Sequence, residues 1–336
     1  MDSLTQITLG AAVGEAVLGK RVGNKAAFWG AVCGTIPDLD VMLNPLFSEA
    51  TQLAIHRGFS HSILFSIIAA PVLGLLFSKL HRKDNVSWKS WSLLAFLSLF
   101  THPILDSFTN YGTQLFNPFS DYQVACNTIF VIDPLYTLPF LVLLIITLFQ
   151  KRNSKNRKIF RYLGLGISSL YLAFTVINKL YINSVFENQA ELQGIKFEKY
   201  MTAPTPFNNI LWRGLFKTKD GYYEGFYSLF DQTDEIKFNF IQINDEPIKE
   251  IEHTYAIQKL LWFSGKYFTI TERENSYFFN DLRFGSLNGW VESSEDYVFS
   301  FRIINDNGEI KINREFPNFE IDGEILSIFW DRIKGI

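Results

Sequence analysis

The sequence predicts an α-helical membrane domain of about five to six helices, several of them transmembrane, followed by a water-exposed domain that is α+β or mostly β. Three observations carry this reading. The 336 residues are 48% hydrophobic and only 19% charged, whereas soluble chains run near 25% charged. Apolar runs approaching the roughly 20 residues that a bilayer requires all lie before residue 180. Beyond that point the texture changes to short alternating runs rich in aromatic and β-branched residues. A chain of this length has room for two domains, placed at residues 1–180 and 181–336.

The apolar segments follow one another along the first half. Residues 4–18 and 26–43 are diluted by Gly, Ala and Thr and interrupted by Glu15, Asp38 and Asp40. Small residues of this kind suit close helix packing or a partly re-entrant course. Residues 63–77 carry no charge and extend towards Leu80, and 91–105 run on into Asp106. Residues 129–149 are long enough to span, with Asp133 near their start, and 162–178 form the last candidate.

Charge supplies an orientation. Residues 1–178 hold 14 Lys/Arg and 9 Asp/Glu, the remainder 17 and 25. Of the 14 basic residues, 13 fall in three connections: Lys20, Arg21 and Lys25; Lys79, Arg82, Lys83 and Lys89; and the six between 151 and 161. The intervening connections, 44–60 and 110–128, hold only Arg57. The positive-inside rule then puts the three basic loops in the cytoplasm and the alternate loops, with everything after about residue 180, outside. Asp2 comes at once and Lys20 and Arg21 follow the first apolar run, the reverse of a secretory signal, so residues 1–19 read as part of the mature protein.

In the second half, residues 237–243, 267–271, 277–279 and 297–304 read as strands, and Asp306-Asn307-Gly308 as a hairpin turn. Residues 250–263 and 324–334 read as helices, and 202–206, with two Pro, as a loop. No basic face with interleaved aromatics points to nucleic acid. Two Cys, Cys33 and Cys126, cannot build a disulfide framework or a zinc ribbon and read as small apolar packers.

Four of the five His lie between 56 and 102. His102 and Asp106 are four apart, which on a helix stacks both on one face, with Pro103 near a helix start or at a kink. Asp38 and Asp40 flank Leu39 after Pro37; in a turn they can converge, and either can bridge two cations, the plain alternative being a helix cap. His56 and His61 are five apart, with Gly58 permitting a turn and Ser60 placed to cap the helix that follows. Charge counting gathers all six at the outward face. Imidazole and carboxylate together bind Zn²⁺ or a related divalent ion. Two alternatives stay open: an ion pair from Asp106 to Arg57 with no metal, or a non-enzymatic membrane protein with a structural cation site or ion relay and an outer binding domain. Gln6 and Glu15 lie on an otherwise apolar first helix, where Gln6 can hydrogen-bond near the site or pack between helices. His81 reads as a surface residue, His253 has no partner pattern, and residues 109–113 line the cleft or form a polar turn.

The start Met1-Asp2-Ser3-Leu4-Thr5-Gln6, the Pro37-Asp38-Leu39-Asp40 block, His56-Arg57-Gly58-Phe59-Ser60-His61-Ser62 and the His102-x-x-x-Asp106 pair, taken in order, resemble the YdjM-like family of membrane-bound metal-dependent hydrolases. The resemblance covers about residues 1–180. That family is similar to zinc-dependent phospholipases C and zinc-dependent single-strand nucleases, helical enzymes whose clustered ions are held by His and Asp. The resemblance implies a bacterial inner-membrane protein that takes one or more divalent ions, zinc above all. The metal ligands would be Asp38, Asp40, His56, His61, His102 and Asp106, with His102 and Asp106 matching most directly. Asp38 or Asp40 would serve as bridging ligand or general base, and Arg57 would meet an anionic group, since guanidinium pairs with phosphate bidentately. A site at a membrane face suits a phosphodiester or lipid-linked substrate, with membrane lipid as its neighbour. Many relatives have His where Gln6 stands, and the C-terminal domain lies outside the family motif.

Overall fold

The computed structural model describes residues 1–287, 289–290, 296–316 and 323–336 and divides into two compact units. One comprises Met1–Leu43, Ile55–Asn178 and Pro206–Asn208; the other comprises Asn44–Ala54, Lys179–Thr205 and Asn209–Ile336. Helices come first and two antiparallel sheets follow, the order that the sequence predicts.

The helical unit opens with α1 (Ser3–Val22) and α2 (Asn24–Thr35), joined at Gly23, whose φ of 64° makes the sharp reversal available to glycine. Their mutual approach is set by Gly10 and Gly14 against Gly30 and Gly34. A Cβ added at Gly30 would stand 2.2 Å from the Gly10 carbonyl oxygen, and one at Gly14 2.3 Å from that of Ala26. This is small-residue packing, in which backbones touch because side chains are absent. Gly30→Val forces α1 and α2 apart and costs about 3 kcal/mol, the upper end of ordinary overpacking. A lowered thermal transition of the detergent-purified protein checks this.

A 3₁₀ segment, Pro37–Leu46, leaves α2, and α3 (Glu49–Ile55) follows. Then come α4 (Ile63–Leu80), α5 (Trp88–Asp106), α6 (Pro134–Phe149) and α7 (Lys155–Leu192). The cap of α4 is Ser62, which accepts from Phe65 N at 3.0 Å; Ser60, expected in that place, is used elsewhere. Asp133 caps α6 by accepting from the amides of Leu135 and Tyr136, so the helix starts at Pro134 and not at 129. Among the described residues, three helical segments are long and apolar enough to cross a membrane: Asn24–Leu46, Ile63–Leu80 and Lys155–Leu192, with Pro134–Phe149 a shorter apolar helix. The 91–105 run is instead the packed centre of the unit. Trp91, Leu94, Ala95 and Leu99 of α5 are buried with Leu18, Cys33, Ala70 and Phe77, while Ser and Thr dilute the rest of that helix. Residues 162–178 form the middle of α7, which continues to Leu192.

The unit has two chemically distinct poles. At one, the three basic connections meet: Lys25 Nζ pairs with Asp84 at 2.7 Å, and Arg152 Nε donates to the Lys20 carbonyl at 2.9 Å. His81 lies here, and it is not the surface residue expected. It is partly buried, accepts from Trp29 Nε1 at 2.7 Å and stacks on Trp91. Cys126, by contrast, is exposed. At the other pole, α1 and α4 begin and α2 and α5 end.

In the second unit, β1 (Lys199–Pro204), β2 (Leu211–Lys217), β3 (Gly221–Ser228) and β4 (Asn239–Gln242) form one antiparallel meander. The sheet packs on the end of α7, where Phe186 and Ile182 meet Trp212 and Phe216. Gly214 makes room, since a Cβ there would sit 2.3 Å from the Phe186 ring. Two helices, α8 (Glu246–Lys249) and α9 (Tyr255–Phe263), lead to a second meander of β5 (Phe268–Arg273), β6 (Ser276–Asp281), β7 (Ser300–Asp306) and β8 (Glu309–Glu315), and α10 (Gly323–Ile333) closes the chain. The hairpin at Asn307 and Gly308 has φ of 53° and 93°, the conformation of a tight type I′ reversal. Three details depart from expectation. Residues 202–204 are strand, because β1 is an edge, where Pro204 costs no ladder bond. The helix expected from 250 starts at Tyr255, and the strand expected from 297 starts at Ser300.

Candidate metal centre

Three separate elements deliver four side chains to the second pole of the helical unit. The 3₁₀ turn after α2 carries Asp38, the short 3₁₀ turn Phe59–His61 carries His61, and the last turn of α5 carries His102 and Asp106. Pro103 sits inside that last turn and not at a helix start.

The donor atoms of these four residues converge. His61 Nε2 is 3.3 Å from Asp38 Oδ1, 3.5 Å from Asp106 Oδ2 and 3.2 Å from His102 Nε2. His102 Nε2 is 3.4 Å from Asp38 Oδ1 and 3.5 Å from Asp106 Oδ2. All four atoms lie within 4.8 Å of one another. A tetrahedron with edges of about 3.3 Å has its centre roughly 2.0 Å from each corner, the reach of a Zn–N or Zn–O bond. Two imidazole nitrogens facing at that distance cannot both donate to each other. Asp106 Oδ2 is buried and accepts no hydrogen bond, with Arg57 Nε at 3.4 Å and the two imidazole Nε2 atoms at 3.5 Å around it, so an ion among the four donors would give that oxygen a direct partner. The donor set therefore fits a divalent ion.

A supporting layer fixes the donors. His102 Nδ1 donates to the Gly34 carbonyl at 2.6 Å, which leaves Nε2 as the lone-pair nitrogen. The glycine contact between α1 and α2 is what brings that carbonyl into place. Asp106 Oδ1 accepts from Gln6 Nε2 at 2.9 Å and pairs with the Met1 ammonium, while Gln6 Nε2 also reaches the His102 carbonyl. Gln6 thus steadies the carboxylate from outside the donor set.

Asp40 and His56 stand one layer out from the four. Asp40 Oδ1 accepts from His56 Nδ1, and Oδ2 accepts from Arg57 N and Ser60 Oγ, each at 3.1 Å. The backbone amide reaches Asp40 because Arg57, and not Gly58, takes the left-handed conformation, at φ 56°. Ser60 Oγ also meets His61 Nδ1 at 3.0 Å, so Asp40 orients His61 much as a carboxylate behind a ligating His does. Arg57 is buried: Nη1 donates to Thr109 Oγ1 at 3.0 Å, Nε lies 3.4 Å from Asp106 Oδ2, and the guanidinium rests on the Tyr111 ring. Thr109 and Tyr111 therefore wall the site. The ion pair of Asp106 with Arg57, read from sequence as an alternative to a metal, coexists with the donor cluster.

Burial alone would keep the His61 imidazole neutral, but the carboxylates of Asp106, Asp38 and Asp40 beside it prevail and raise its pKa to about 10. Below that pH the ion-free site carries a proton that a metal must displace. Affinity should therefore rise about tenfold per pH unit for each proton released. Chelator competition between about pH 6 and about pH 8 checks the sign: tighter binding at the higher pH.

Sequence comparison adds three findings. Residues 1–182 match the family model described as YdjM inner membrane protein. Among curated proteins, the uncharacterized protein YfhP of Bacillus subtilis (strain 168) is 34% identical over 145 residues, which cover 40% of this chain and 42% of that protein. The match thus spans about two fifths of that relative's length. No solved structure matches.

Proposed function

We propose that this chain, which belongs to the YdjM inner membrane protein family, is a membrane-bound hydrolase dependent on a divalent metal ion, zinc by its donor set. The observation that carries the reading is the convergence of Asp38, His61, His102 and Asp106, with a buried carboxylate oxygen that accepts no hydrogen bond. Two imidazoles and two carboxylates form a mixed N/O set of the kind zinc takes. A divalent ion held by these four residues would supply Lewis-acid polarisation of a phosphoryl or related oxygen and a more acidic water.

The protein's own groups suit an anionic substrate. Arg57 is a buried guanidinium whose Cζ lies 4.8 Å from the Tyr111 ring centroid, and a guanidinium is the side chain best suited to an anionic phosphate group. Asp38, 25% exposed where the other three donors are 0–1% exposed, marks the side from which a substrate or proton enters, and Asp38 or Asp40 supplies the carboxylate for proton transfer. The meeting of three basic connections at the opposite pole supports a cytoplasmic location for that pole. The site then faces outward, and the C-terminal unit lies outside the cytoplasm. The connection 110–128 is fastened beside the site, with Gln114 N donating to the Arg57 carbonyl and Ile63 N to the Leu115 carbonyl. It carries exposed Phe116, Phe119 and Tyr122, aromatics suited to the headgroup level of a bilayer. These features favour a phosphodiester or lipid-linked substrate in the outer leaflet.

The test is hydrolysis of bis(p-nitrophenyl) phosphate and of phospholipid vesicles by zinc-loaded, detergent-purified protein. Activity is expected in the parent and absent in His102→Ala. Arg57→Lys should lower kcat/KM by about 10- to 100-fold, the loss of a charge-assisted hydrogen bond. One observation favours a second reading: four protein donors already complete a tetrahedral shell, as in structural sites. Stoichiometric zinc without hydrolysis of either substrate would support that structural role.

A further inference from the structure

Residues Asn44–Ala54 belong to the compact unit formed with Lys179–Thr205 and Asn209–Ile336, although the chain on both sides of them belongs to the helical unit. This excursion is held by specific contacts. The Glu49 carboxylate accepts from the backbone amide of Arg314 in β8, an outer strand of its sheet. Thr51 shares a hydrogen bond of 3.3 Å with the Tyr255 hydroxyl at the start of α9. Ala50 and Leu53 are buried. Gln52 braces the segment internally by donating to the carbonyls of Asn44 and Phe47.

Its two ends lead straight into the metal centre. Asp38 and Asp40 precede it, and His56 and His61 follow it. Asp40 is tied to His56, Arg57 N and Ser60, so the base of the excursion is closed by a neck of hydrogen bonds. Displacement of the segment reaches Asp38 and His61 through that neck.

We infer that the C-terminal unit regulates the metal centre through residues 44–54: a shift of β8 or α9 changes the grip of Asp38 and His61 on their ion. The inference rests on the metal reading above. It also assigns Asp40 and His56 a positioning role as the neck.

The experiment is equilibrium competition for zinc between the full-length, detergent-purified protein and a chromophoric chelator. The double variant Glu49→Ala/Tyr255→Phe removes the carboxylate that holds β8 and the hydroxyl that meets Thr51. It should weaken zinc binding by at least about fivefold, the lower end of ordinary coupling between sites. Glu49→Gln keeps an acceptor for Arg314 N and should retain the parent affinity. Hydrogen exchange across residues 44–61 should rise in the double variant while the helical unit stays protected. A double variant that binds zinc as tightly as the parent overturns the coupling and leaves the metal site standing. A parent chain that binds no zinc overturns the metal site, and the coupling with it.

Discussion

His102→Ala is expected to strip the ion from the purified protein, whereas His56→Ala leaves it bound. The two imidazoles occupy different places. His102 Nε2 stands 3.2–3.5 Å from the three other donors, with Nδ1 committed to the Gly34 carbonyl. His56 spends Nδ1 on Asp40 and touches none of the other donors at ion-pair distance among the described contacts. Removing a donor leaves three of the four groups that would hold the cation. Removing a supporting group loosens the donors by about 10- to 100-fold in affinity. The series should therefore rank Asp38, His61, His102 and Asp106 as the severe losses, Asp40 as intermediate and His56 as mild. Elemental analysis of detergent-purified variants reads the ranking directly. Equal loss at His56 and His102 would mean that the four-donor grouping is wrong.

Arg157→Ala is expected to be among the most destabilising changes in the helical unit, at about 3–5 kcal/mol, the cost of leaving a buried charge without its partner. Arg157 Nε and Nη2 donate to the two oxygens of Glu15 at 2.8 and 2.7 Å, and Nη2 also reaches Asn24 Oδ1 at 2.7 Å. Glu15 is fully buried and its carboxylate lies over Gly19, where an added Cβ would stand 2.2 Å from Oε1. Arg161 lies 3.9 Å from the same carboxylate, too far to replace a bidentate pair. Replacing both members, Glu15→Leu with Arg157→Met, removes the charge along with its partner and should cost less than Arg157→Ala alone. Unfolding midpoints of the three proteins decide it; a double variant less stable than the single would refute the account.

The reach of sequence reasoning differs between these two sites. The candidate metal-site residues were legible because ionisable groups in an apolar setting stand out, and because the i, i+4 spacing of His102 and Asp106 already places two candidate donors on one helix face. The Glu15–Arg157 pair was not. Glu15 stands out as a charge in an apolar helix, but its partner lies 142 residues away, among six basic residues that charge counting treats alike. In the C-terminal unit the hairpin at Asn307-Gly308 was legible from turn chemistry. The β1–β3 meander was not, because β2 is buried on both faces and lacks the alternation that identifies a strand with one wet side.

Composition, periodicity and charge by themselves determined the helical-then-sheet order, the gathering of basic connections at one pole and the candidate donors, since each of these is a local property of the chain. Only the tertiary structure decided which four of the six candidates converge as candidate donors and which two stand one layer out. That choice depends on distances among atoms delivered by separate elements: a left-handed Arg57 turns one amide towards Asp40, and touching glycine backbones bring the Gly34 carbonyl to His102. No spacing along the sequence encodes such distances, because they are set by how closely helices can approach once side chains are removed from between them.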